Sequence, residues 1–126
     1  TDLTMLHLLL VALGGAIGAS LRHLVNLASL RLVGSGFPWG TMAINIAGSL
    51  AMGLFIGLLG RRFNASEVLR LFVATGILGG FTTFSAFSIE AVRLLQHQPG
   101  AGLAYVAASV VLSLSGCWLG LVLGRA

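Results

Sequence analysis

Ten consecutive residues, Gly79-Gly80-Phe81-Thr82-Thr83-Phe84-Ser85-Ala86-Phe87-Ser88, concentrate chemistry in an otherwise apolar stretch of chain. They combine two glycines, four hydroxyls and three phenyl rings. Glycine weakens a helix by roughly 1 kcal/mol relative to alanine. Backbone released from a helix at membrane depth finds no partner in lipid and must be satisfied by protein, water or an ion. Carbonyls freed near Gly79 and Thr82 would present negative ends to a small cation. Phenyl rings have positive edges, so Phe84 and Phe87, three residues apart, can offer C–H edges to a small anion. The plainer reading is a glycine kink whose hydroxyls bond back to the preceding turn. Both readings stay open on residue types alone.

Two further sets of polar residues recur at helical spacing. Thr41, Asn45, Ser49, Gly53 and Gly57 share one face of a segment otherwise rich in Ile, Leu, Met and Phe. Asn45 is its strongest donor, fit either to clasp a neighbouring helix or to face an ion. Tyr105, Ser109, Ser113 and Cys117 form a second track, beside the close-packing stripe Gly116, Gly120 and Gly124. Arg22 and His23 interrupt the first apolar run. That arginine either snorkels to the interface or lines a wet vestibule. Glu90 lies near the exit of its segment, where Arg93 can pair with it. Stripping a small anion of water is expensive, on the order of 20 kcal/mol by the ideal Born penalty for carboxylate-sized ions. A lining for such an ion must therefore replace the hydration shell with close donors. No arginine lies mid-span to trap it.

The elements that position these groups are membrane helices. Of the 126 residues, 57% are hydrophobic and 8% charged, with a mean hydropathy of +1.03. Soluble domains carry about a quarter charged residues. Four apolar segments, about 3–32, 39–59, 68–92 and 101–123, each approach the roughly 20 residues that cross a bilayer. The predicted fold is a single all-α membrane domain over 1–126, with the third of its four transmembrane helices broken mid-membrane. The first segment lacks a basic leader and its apolar run is too long for a signal peptide, so it reads as a retained span. Gly14 and Gly18 form a GxxxG pair for close helix contact. Gly34-Ser35-Gly36-Phe37-Pro38, Arg61 to Glu67 and Gln96-His97-Gln98-Pro99-Gly100 read as turns, with Ser66 placed to cap the third span. Cys117 is the single cysteine, so no intrachain disulfide forms.

This composition excludes several function classes. Seven arginines scattered over helix ends make no nucleic-acid patch. His7, His23 and His97 fall near different segment ends, and no Ser/His/Asp set, metal-ligand cluster or phosphate loop is present, so no enzyme is expected. Arg61, Arg62, Arg70 and Arg125 fall on the side of the termini, and Arg22, Arg31 and Arg93 on the other. Four against three gives the positive-inside rule almost nothing to act on. Such a chain can insert both ways, which makes an antiparallel, dual-topology homodimer natural. Four short helices also enclose little space alone.

The chain resembles the Fluc family of microbial fluoride channels along essentially its whole length. The resemblance rests on Gly14-Gly15-Ala16-Ile17-Gly18-Ala19-Ser20-Leu21-Arg22, on Trp39 through Ser49, on Gly79 through Ser88, and on the Tyr105/Ser109/Ser113 track. It implies a fluoride-selective channel of the inner (plasma) membrane that passively exports cytoplasmic fluoride through two pores per antiparallel dimer. It implies that Asn45 faces the pore, that Phe84 and Phe87 meet fluoride with their ring edges, and that Tyr105, Ser109 and Ser113 form a polar track. It also implies a structural Na⁺ at the dimer centre on the backbone carbonyls of Gly79 and Thr82, no organic cofactor, and Arg22 in an aqueous vestibule. Ala86, His23 and Cys117 depart from residues common in that family, and Ala86 and Cys117 bear on the detailed ion path. Two other readings compete. A small proton-coupled exporter needs a carboxylate at membrane depth, and the first two spans hold none within their apolar runs. A non-conducting packing subunit explains the glycine stripes but not the cluster of rings and hydroxyls.

Overall fold

The computed structural model describes residues 2–61 and 66–126, with only the backbone of Arg61. The centre of the expected 61–67 turn, including Arg62, lies outside the described residues. The architecture is all-helical. Four helical stretches are long and apolar enough to cross a membrane: Asp2–Val33, Trp39–Gly60, Glu67–His97 and Pro99–Arg125. We label the elements α1 (Asp2–Val33), α2 (Trp39–Arg61), α3 (Glu67–Leu69), a π-helix π1 (Arg70–Leu78), α4 (Gly79–Phe81), α5 (Phe84–His97) and α6 (Pro99–Arg125).

Local chemistry sets the ends. Gly34 takes φ +80°, the left-handed conformation that lets the chain turn after α1. Ser66 caps α3, its Oγ accepting the Leu69 N–H at 3.3 Å. Pro99 stands in the first turn of α6, where its missing N–H costs nothing.

Glycine decides which helices touch. α2 packs along α6 with backbone against backbone. A Cβ on Gly124 would stand 2.6 Å from Leu54 O, and one on Gly57 would stand 2.8 Å from Leu121 O. A methyl on Gly53 would collide with the Cys117 carbonyl, and one on Gly120 with that of Leu50. Of the expected stripe, Gly120 and Gly124 thus have their partners in Gly53 and Gly57, while Gly116 lies beside Ile46 and Leu50 at ordinary contact distance. α1 packs on π1 in the same way: a Cβ on Gly14 would lie 2.5 Å from Phe72 O and 2.9 Å from the Gly76 Cα. Gly18 meets the Ile77 carbonyl. Gly14 and Gly18 make the close contact expected from their spacing, against a nine-residue π-helix that no local sequence pattern announces. Many large apolar side chains of α1 and α6, such as Leu3 at 63% and Leu114 at 68%, face outward, as in a helix bundle surrounded by lipid.

Candidate functional site

Between α4 and α5 two residues leave the helical conformation. Thr82 has φ −78°, ψ 157° and Thr83 has φ −150°, ψ 117°. Several local bonds accompany this. Thr82 N–H and Oγ1 both donate to Leu78 O, at 3.1 and 3.0 Å. Thr83 caps α5 through its Oγ1, which accepts the Ala86 N–H at 3.2 Å and lies 3.4 Å from Ser85 Oγ. Ser88 Oγ donates to Phe84 O at 2.9 Å. Thr82 and Ser88 therefore do bond back to the preceding turn, while Thr83 acts as a cap.

Asn45, on α2, serves the extended pair. Its Nδ2 donates to Thr83 O at 2.9 Å, and its Oδ1 accepts the Thr83 N–H at 2.8 Å. The asparagine thus clasps backbone 38 residues away and keeps a second N–H of its amide. The two readings of Asn45 as clasp or ion donor are compatible in this geometry.

Asn45, Ser49, Phe84, Phe87, Ser109 and Ser113 come together around one groove of about 360 Å³, which Thr82 and Thr83 also line. Phe87 is buried, whereas Phe84 is 78% exposed on this single chain. Their ring centroids lie 5.5 Å apart at 46°. Ser109 is 4% exposed. Among the described residues, the Oγ atoms of Ser109 and Ser113 are buried without a hydrogen-bond partner. Such atoms carry an uncompensated desolvation cost of roughly 1–3 kcal/mol each, unless a water or ion meets them.

The remaining expected residues lie elsewhere. Tyr105 is fully buried and lines no part of the groove. Its hydroxyl donates to Glu90 Oε1 at 3.1 Å, so the partner of Glu90 is Tyr105 rather than Arg93. Arg22 Nε donates to Gly80 O at 3.2 Å, tying α1 to α4. The carbonyls of Gly79 and Thr82 lose their usual helical donors, because the N–H of Thr83 goes to Asn45 and that of Ala86 to Thr83 Oγ1. No signal in the sequence points to the Asn45–Thr83 exchange. Phe37, against Tyr105 with centroids 5.4 Å apart, is also missed, although an aromatic residue in a Gly-Ser-Gly-Phe-Pro turn is the cue for it.

Four apolar spans, three of which line a groove of amide, hydroxyl and phenyl groups, define a multi-pass membrane protein. The family model "CrcB-like protein, Camphor Resistance (CrcB)" matches residues 9–121. The chain is 58% identical over 124 residues to a "Fluoride-specific ion channel FluC" of Mesorhizobium japonicum, covering 96% of this chain and 98% of that one. It is 52% identical over 122 residues to the protein of the same name from Agrobacterium fabrum, with the same two coverages. The chain belongs to the CrcB-like family, the Fluc family it resembles in sequence.

Proposed function

We propose that this protein is a fluoride-selective channel of the inner (plasma) membrane that lets cytoplasmic fluoride leave passively. The observation that carries this reading is the pair of buried, unpartnered hydroxyls of Ser109 and Ser113 in a groove shared with Asn45, Phe84 and Phe87. Its support from comparison is that relatives identical at more than half of their positions are named as fluoride-specific ion channels. The family is one of ion channels, and the protein is not an enzyme.

The chemistry follows from the lining. Fluoride is small and strongly hydrated, so it enters only where donors stand in for water. The two serine hydroxyls, the spare amide N–H of Asn45 and the edges of Phe84 and Phe87 are such donors. None carries a full positive charge, so each holds the ion weakly enough to release it. The third span is a broken membrane helix in this reading. The break at Thr82 and Thr83 turns α5 so that Phe84 and Phe87 reach the groove, and Asn45 holds the break in place.

The working unit is an antiparallel, dual-topology homodimer with two pores. Phe84, largely exposed on one chain, then meets the second copy. The Gly79 and Thr82 carbonyls, deprived of their helical donors, fit a structural Na⁺ shared by the two copies. That ion would supply a fixed positive centre against which the two chains are held. Arg22 anchors the same segment through Gly80 O and keeps its place beside the vestibule. Tyr105 belongs to the track in this reading, although its own proton is given to Glu90. The experiment is efflux of fluoride and of chloride from liposomes containing the purified protein. Selective fluoride release supports the channel. Release of neither anion would bring forward the proton-coupled exporter or the packing subunit, with Glu90 the next residue to vary.

A further inference from the structure

Tyr105 is fully buried, yet it lines neither of the two cavities that its neighbours build. Phe87 and Ser109 belong to the groove. Phe37, Thr41 and Glu90 belong to a second cavity of about 520 Å³, which also holds Arg93 and His97 at the end of α5. The Tyr105 ring touches a wall of each: Phe87 at 5.3 Å between centroids and Phe37 at 5.4 Å. It therefore stands between the two spaces.

Beside the Phe87 ring, two further contacts fix this ring in different ways. Its hydroxyl is held at the tip by Glu90. Its body is met by Phe37 at an interplanar angle of 89°, an edge-to-face pair. That geometry needs a second aromatic ring, since an aliphatic side chain has no quadrupole to match. Phe37 is not on a helix. It sits in the turn between α1 and α2, against Trp39 with centroids 4.7 Å apart and the rings tilted at 51°. The turn thus reaches over α5 and α6 to hold a residue of the bundle core.

We infer that Phe37 is a positioning residue: it holds Tyr105 as the wall between the groove and the second cavity, and so keeps the groove narrow and selective. The inference rests on reading the groove as the fluoride path. The second cavity includes the charged and polar side chains of Asn26, Glu90, Arg93 and His97 in a mixed lining and so admits water. A groove that replaces a hydration shell with a few donors discriminates among anions only while water is kept out of it. Once the wall is loosened, a larger anion can pass with part of its hydration intact.

The test compares Phe37→Ala, Phe37→Leu and Phe37→Tyr with the unchanged protein in two measurements. The first is fluoride and chloride efflux from liposomes. The second is the infrared C–O stretch of Tyr105 with ring-deuterated tyrosine, which is unambiguous because the chain has one tyrosine. In Phe37→Ala the ratio of fluoride to chloride efflux falls about tenfold, the scale of one aromatic pair. The tyrosine band moves toward its position in Glu90→Ala, where the hydroxyl has lost this acceptor. Phe37→Leu gives the same changes at smaller size, and Phe37→Tyr, read by efflux alone because it adds a second tyrosine, restores the ratio. An unchanged ratio in Phe37→Ala overturns the inference, as does a changed ratio with an unmoved band. If the alanine variant does not fold, Phe37→Leu decides by the same criteria. If the unchanged protein releases neither anion, the channel reading fails, and the infrared band alone then decides whether Phe37 positions Tyr105.

Discussion

Asn45 and Thr83 exchange two hydrogen bonds, Nδ2 to the Thr83 carbonyl at 2.9 Å and the Thr83 N–H to Oδ1 at 2.8 Å. One side chain thereby engages both backbone groups of Thr83, whose N–H has left the helical ladder. The same asparagine lines the groove. A single amide thus holds the backbone and lies at the groove.

Asn45→Ala should therefore lower both stability and fluoride flux. Two backbone groups lose their partner, which costs about 1–3 kcal/mol. Thermal unfolding in detergent measures the first effect and liposome efflux the second. A variant as stable as the unchanged protein would contradict the clasp.

Ser109→Ala and Ser113→Ala should behave differently. Neither Oγ has a partner among the described residues, so removing it costs no internal hydrogen bond and stability is unchanged or slightly raised. Fluoride loses a donor, and efflux falls about tenfold, the equivalent of one hydrogen bond to a charged group. Lower stability with unchanged efflux would mean that these hydroxyls serve packing instead.

Gly120→Ala should loosen α2 from α6, because its methyl would collide with the Leu50 carbonyl. Overpacking of this kind costs about 1–3 kcal/mol. Gly15→Ala, where no atom lies within 4 Å of an added Cβ, is the matched control. The expected result is a lower unfolding temperature for the first variant and none for the second.

Much of this was legible in the residues because membrane helices announce themselves locally. Apolar length located the four spans, and i, i+4 spacing brought Asn45 and Ser49 onto one face and Ser109 and Ser113 onto another. Both pairs line the groove. Glycine spacing also identified the α1 and α6 contact stripes, since close approach depends on a missing Cβ. What escaped depends on distant partners. The π-helix Arg70–Leu78 has no local signature and lies where α1 presses its glycines against it. The Tyr105–Glu90 bond spans 15 residues and joins two helices. Spacing placed Tyr105 on the track with Ser109, but it could not show that its hydroxyl already has a carboxylate to bond. Phe84 was legible as a ring beside Phe87, while its exposure on a single chain emerges only in three dimensions.

The central claim is that buried donors in this groove carry fluoride. The most direct measurement is fluoride and chloride efflux from liposomes for the unchanged protein and for Ser109→Ala side by side. The account predicts rapid fluoride release with chloride retained, and about tenfold slower fluoride release from the equally stable variant. Equal release of both anions, or no difference between the two proteins, would contradict it.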